Sequence, residues 1–251
     1  MRAGRWVQIT ALVAVTALTA WANASGETRP ELVVQTGHTG SVSWAAFSPD
    51  GKYIVTASED TTAIVWDADT GQRVRSLTGH KMQINSATFS PDGKAIVTAS
   101  HDGAVLWDAA TGRELRSLAG PPGWIYYSAT FSPNGRSIVA SSWADKAAVL
   151  WDTATGQKLL TLDGNAGTVE SASFSADGKQ ILTASSEGVI VWDSATGMKL
   201  RSLAEIAGEI VSASFSPDGD SIVTAMDEKT AIVWDTATGE KRFAQIGRAH
   251  V

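Results

Sequence analysis

From Ser41 onward the chain is written in short apolar runs, each closed by turn-forming residues. Ser41–Phe47 alternates apolar and polar, and Ser48-Pro49-Asp50-Gly51 then has turn chemistry, with proline pre-setting φ and glycine supplying φ > 0. Tyr53–Ser58 is β-branched and apolar, and Glu59-Asp60-Thr61 reads as a tight hairpin turn. Ala63–Trp66 is a nearly continuous apolar run, the pattern of a strand covered on both faces. Asp69-Thr70-Gly71-Gln72 is another turn. Arg73–Leu77, with arginines alternating with apolar residues, suits a half-exposed outer strand. The rest of the chain after the N-terminal segment shows no convincing helical period. The pattern predicts four strands and then repeats.

Three markers carry the repetition. Trp-Asp falls at Trp66-Asp67, Trp107-Asp108, Trp151-Asp152, Trp192-Asp193 and Trp234-Asp235, with spacings of 41, 44, 41 and 42. Phe-Ser-x-x-Gly precedes each one, at Phe47–Gly51, Phe89–Gly93, Phe131–Gly135, Phe174–Gly178 and Phe215–Gly219. Thr-Gly follows each one, at Thr70-Gly71, Thr111-Gly112, Thr155-Gly156, Thr196-Gly197 and Thr238-Gly239. A four-stranded sheet of this size cannot bury both faces alone, whereas sheets stacked radially can.

The grammar Gly37-His38 … Ser48–Gly51 … Trp66-Asp67 resembles the WD40 repeat of β-propellers. The expectation is an all-β, WD40-type propeller over residues 32–245, with five four-stranded antiparallel blades at about 37–78, 79–119, 120–163, 164–204 and 205–245. The resemblance implies a structural set in each blade that ties the strands together: His38, Thr56, Asp60 and Trp66 in the first, His80, Thr98, Asp102 and Trp107 in the second. Trp151, Trp192 and Trp234 stand at the matching positions later on. The later units depart from the pattern, with Gly120-Pro121 and Gly164-Asn165 in place of Gly-His, no clear Gly-His in the fifth, and Glu187 and Glu228 as turn acids. Those blades are expected to rely on core Trp and Phe instead.

Composition narrows the function classes. The chain of 251 residues has 20 Lys+Arg, 26 Asp+Glu and no cysteine, so disulfides, thiol chemistry and Cys-ligated metals are excluded. A net charge of −6 argues against nucleic acid as partner, since phosphate binding needs a basic surplus. Residues 1–24 read as a signal peptide: Arg2 and Arg5, an uncharged Val7–Ala20, then Ala22-Asn23-Ala24, with Ser25 as first mature residue and 25–31 as linker. Cleavage leaves 18 basic against 26 acidic residues, or −8, in an exported, periplasmic or secreted protein with no later membrane span. An uncleaved N-terminal anchor is the alternative.

The two ends read as incomplete. Leu32–Thr36 matches the outer strands Val74–Thr78 and Leu115–Ala119 but has no three strands to join, so further blades are expected, and family precedent favours seven. Ile246–Val251 back-translates to a common sequencing-library adapter, so the native coding sequence is expected to end near Gln245.

No catalytic motif is present, and neither a cofactor nor a metal is expected. In propellers that resemble this chain, partners dock on the face formed by the loop before the innermost strand and by the second hairpin turn. Those positions give Trp124, Ile125, Tyr127, Trp143, Glu59, His101, Glu170, Glu209 and Asp227 as candidates for binding a protein or peptide. The third unit concentrates aromatics there, which either form an adhesive patch or pack inward. The acids favour a basic or polar partner. The expected function is a non-catalytic protein-binding scaffold. The alternatives are a gating or docking propeller of a larger enzyme or sensor, or a TolB-like envelope propeller.

Overall fold

The turn after the first apolar run is built from its own side chains. The Ser48 hydroxyl donates to Asp50 Oδ1 at 2.6 Å and accepts the Tyr53 N–H at 2.9 Å, while Asp50 Oδ1 accepts the Lys52 N–H at 3.1 Å. Gly51 completes the turn at φ 72°, a conformation that disfavours any residue with a Cβ. The same lock recurs at Ser90/Asp92, Ser132/Asn134, Ser175/Asp177 and Ser216/Asp218. The turn after each Trp-Asp works differently. Asp67 Oδ1 accepts both the N–H (2.8 Å) and the hydroxyl (2.7 Å) of Thr70. Hydrogen bonds from threonine hold the carboxyls of Asp67, Asp108, Asp152 and Asp193 below the ordinary carboxylate range. The recurring Trp-Asp … Thr-Gly grammar is therefore a chain reversal that satisfies itself locally.

The computed structural model describes residues 37–118, 120, 123–143, 146–165, 167–203, 210–226 and 230–246. The expected signal peptide, the linker, Leu32–Thr36 and residues 247–251 lie outside the described residues.

Blade 1 consists of β1 (Val42–Phe47), β2 (Tyr53–Ser58), β3 (Thr62–Asp67) and β4 (Arg73–Thr78), antiparallel in that order. Blade 2 repeats it with β5 (Ile84–Phe89), β6 (Ala95–Ser100), β7 (Gly103–Asp108) and β8 (Glu114–Leu118). Blade 3 has β9 (Tyr126–Phe131), β10 (Ser137–Ser142), β11 (Ala147–Asp152) and β12 (Lys158–Leu162). Blade 4 has β13 (Val169–Phe174), β14 (Gln180–Ser185), β15 (Gly188–Asp193) and β16 (Lys199–Leu203). Blade 5 has β17 (Ile210–Phe215), β18 (Ser221–Met226), β19 (Thr230–Asp235) and β20 (Lys241–Ile246). β20 runs one residue into the stretch expected to be a non-native tail, with Ile246 opposite Thr230.

Blades pack in chain order, each inner strand lying against the inner strand of the blade before it. Val55, Ala57, Ala63 and Val65 of blade 1 share one core with Ile84, Ala87, Ile96 and Trp107 of blade 2, and the later junctions repeat this. Inner strands of neighbouring blades share no backbone ladder, and small polar side chains join them instead. Ser43 donates to Ile84 O at 2.6 Å, Asn85 to Tyr126 O at 2.8 Å, and Ser86 accepts the Ala129 N–H at 3.1 Å.

Equivalent positions differ at the two ends. Val42 is 53% exposed, whereas its counterparts Ile84, Tyr126 and Val169 are fully buried against the preceding blade. Val223 is 40% exposed, whereas Val55, Val97 and Val139 are fully buried against the following one. Among the described residues the ring is not closed, and the leading face of blade 1 and the trailing face of blade 5 lack the cover that every internal blade has.

Candidate functional site

The histidines at the blade entrances sit in proton-sharing chains. In blade 2, Trp107 Nε1 donates to Thr98 Oγ1 at 2.8 Å, Thr98 Oγ1 lies 2.7 Å from His80 Nε2, and His80 Nδ1 lies 2.6 Å from Asp102. The tautomer that suits every partner has Nδ1–H donating to Asp102 and Nε2 accepting from Thr98. Blade 1 repeats the chain through Trp66, Thr56, His38 and Asp60 at 2.7–2.9 Å. Burial alone would raise the Asp60 carboxyl, but the Thr62 hydroxyl, the Thr39 N–H, His38 and the Thr62 N–H outweigh it and hold the group well below the carboxylate range. Asp102 is lowered in the same way, with the Lys81 N–H, Ser100 and His80 overcoming burial. Each threonine hydroxyl is occupied by the tryptophan N–H, and Thr98 is fully buried, so the chain fastens strands to one another.

The later blades diverge from one another. Blade 4 keeps the chain, with Trp192 Nε1 donating to Thr183 and Thr183 donating to Asn165 Oδ1, both at 2.8 Å. The expectation that this blade leans on Trp and Phe is corrected: an amide oxygen accepts the same hydroxyl that histidine does. Blade 5 retains Trp234 on Thr224 at 3.0 Å. Blade 3 loses the chain because Ala140 stands where the other blades have threonine, and Trp151 Nε1 has no hydrogen-bond partner among the described residues. There Tyr126 stands edge-on to Trp151, and a Cβ at Gly120 would collide with its hydroxyl, as one at Gly37 would with the Trp66 ring.

The aromatics of blade 3 divide between core and surface. Trp124 is partly buried and tilted against Tyr126, 6.3 Å between centroids, so it belongs to the core cluster. Ile125 is half-buried, and its carbonyl accepts the Trp143 N–H at 3.0 Å, which ties the residue after β10 to the one before β9. Trp143 itself is 46% exposed. Tyr127 is half-buried and stacked on His101 of blade 2 (6.4 Å, 30° between planes). Gln83 Nε2 donates to His101 Nε2 at 2.9 Å. Burial lowers the His101 imidazole, partly countered by Asp102. Burial and the charge of Glu170 in blade 4 raise the Tyr127 phenol.

His101, Tyr127 and Glu170 thus run across three consecutive blades at the strand ends that carry the β2–β3-type turns. Glu59 is exposed in the matching turn of blade 1, while Glu209 and Asp227 lie outside the described residues. Sequence reading missed Tyr126 and Asn165 as substitutes. For Asn165 the signal was available, since it stands where other units have the histidine of Gly-His; Tyr126 aligns with Val42, Ile84 and Val169, which belong to no marker. Among the described residues no group of acids and histidines could hold a metal ion, and no helix is long and apolar enough to cross a membrane.

No curated protein matches the chain. A family model described as WD domain, G-beta repeat matches residues 30–67, 71–108, 112–152, 156–193 and 199–235, well over half of the sequence. Every strand but β20, and all the Trp–Thr anchors, stand within those five segments, and the chain belongs to the WD40 repeat family.

Proposed function

We propose that this chain is a non-catalytic, exported scaffold that binds a protein or peptide through the His101–Tyr127–Glu170 surface, with Trp143 beside it. WD40 repeats point to a protein-interaction scaffold. The observation that carries the finer reading is the His101–Tyr127 stack across the junction of blades 2 and 3, flanked by an exposed tryptophan and an acid. Interfaces draw most of their energy from such held aromatic anchors, because little side-chain entropy remains to be lost. Export is supported by the basic, apolar and small-residue order of residues 1–24.

The test compares wild type with a Tyr127→Ala, Trp143→Ala double variant in affinity capture from envelope extract. A protein retained by wild type and lost with the double variant, at unchanged thermal stability, is the expected result. The same retained set from both would remove this surface from consideration.

A further inference from the structure

At the opposite ends of the strands, the blades are clamped by arginine. Arg75 of β4 donates to the Ala109 carbonyl in the Trp-Asp turn of blade 2, and Arg116 of β8 donates to the Ala154 carbonyl in the same turn of blade 3. Each guanidinium also acts on the turn's carboxylate, Arg75 on Asp108 and Arg116 on Asp152. Their stems lie over the turn glycines Gly112 and Gly156.

At the next junction the register puts Leu160 opposite Leu150, as Arg116 stands opposite Leu106. Leu160 covers Gly197 as the arginine stems cover their glycines, but it has no donor to offer the turn. A cavity of about 400 Å³ opens there, lined by Leu159, Leu160 and Phe174 and by Ser194 and Ala195, the two residues that follow Asp193. These match the positions whose carbonyls accept Arg75 and Arg116. The groups acting on Asp193 are its own turn hydrogen bonds and burial, with no guanidinium among them.

We propose that this cavity is a guanidinium subsite that takes an arginine side chain from a peptide or partner protein. The stem lies on Leu159, Leu160 and Phe174, and the head donates to the carbonyls of the Ser194-Ala195 turn beside Asp193. The occupant is identified by the molecule's own repeats, since two equivalent junctions already hold an arginine in this way. Planar, multi-donor guanidinium fits a pair of carbonyls and a carboxylate better than a compact ammonium does. The site is at the other end of the strands from the Tyr127 surface and stands independently of it.

The experiment titrates the full chain with N-acetyl-arginine methylamide, with the lysine and norleucine analogues alongside, and follows backbone amide resonances. Saturable shifts centred on Ser194, Ala195 and Gly178, at least tenfold stronger for arginine than for either analogue, are expected. Leu160→Arg supplies the side chain from within and should abolish the response, whereas Leu160→Met should keep it. Equal responses to the three probes, or none, would overturn the proposal from wild type alone. So would undiminished arginine binding in a folded Leu160→Arg protein.

Discussion

The Tyr126 ring meets Trp151 edge to face, with centroids 5.5 Å apart and planes at 76°, in the blade where Ala140 has replaced threonine. Both residues are fully buried, so the contact occupies the place of a hydrogen-bonded chain. Tyr126→Ala is expected to cost about 3–5 kcal/mol, the range for deleting a buried aromatic. In blade 2 the comparable damage is Thr98→Val, which strands Trp107 Nε1 and the His80 ring for about 1–3 kcal/mol. Urea midpoints of the two variants check the order.

Thr61 sits at φ 70°, a left-handed conformation that a β-branched residue adopts only under strain. It closes the three-residue loop between β2 and β3, as Lys146 at φ 53° stands just before β11. Asparagine tolerates that region, so Thr61→Asn is expected to stabilise by about 1 kcal/mol. Calorimetry should show a melting temperature raised by roughly 2–4 °C.

Asp60 is lowered in the folded state, so it contributes stability that is complete above the unfolded carboxylate range near pH 4 and is lost as pH falls through the folded value. Asp60→Asn is expected to destabilise at neutral pH and to flatten the acid side of the stability curve. Denaturant midpoints between pH 3 and pH 7 provide the measurement. Parallel curves for variant and wild type would refute the role given to this carboxylate.

Position within the arc sets the cost of a core truncation. Val139→Ala removes methyl groups from a fully covered site and is expected to cost about 2 kcal/mol. Val223→Ala, at the equivalent position of blade 5, is expected to cost under about 0.5 kcal/mol, as surface changes do. Equal losses in chemical denaturation would mean that the trailing face of blade 5 is covered.

The strands could be read from the sequence nearly to the residue because the turns are self-contained: Ser48, Asp50 and Gly51 settle a reversal within four positions. The Trp–Thr–His chains of blades 1 and 2 were expected from the resemblance to the WD40 repeat, whose set was carried over by position. The filling of blade 3 was not. Tyr126 does its work against Trp151 and Gly120, and its meaning depends on Ala140, a small residue that carries no pattern of its own. The split of the aromatics, with Trp124 inward and Trp143 outward, likewise depends on packing across blades.

The unequal cover of equivalent valines has a consequence for how the molecule comes apart. Since each blade packs chiefly on its neighbours, its protection is set by how many flanks are sheltered, and among the described residues blades 1 and 5 have one each. Amide exchange should therefore be quickest in β1–β4 and β17–β20 and slowest around Trp151, with the boundary moving inward as denaturant is added. Such a chain frays from its tips, and its middle blade is the last refuge of order.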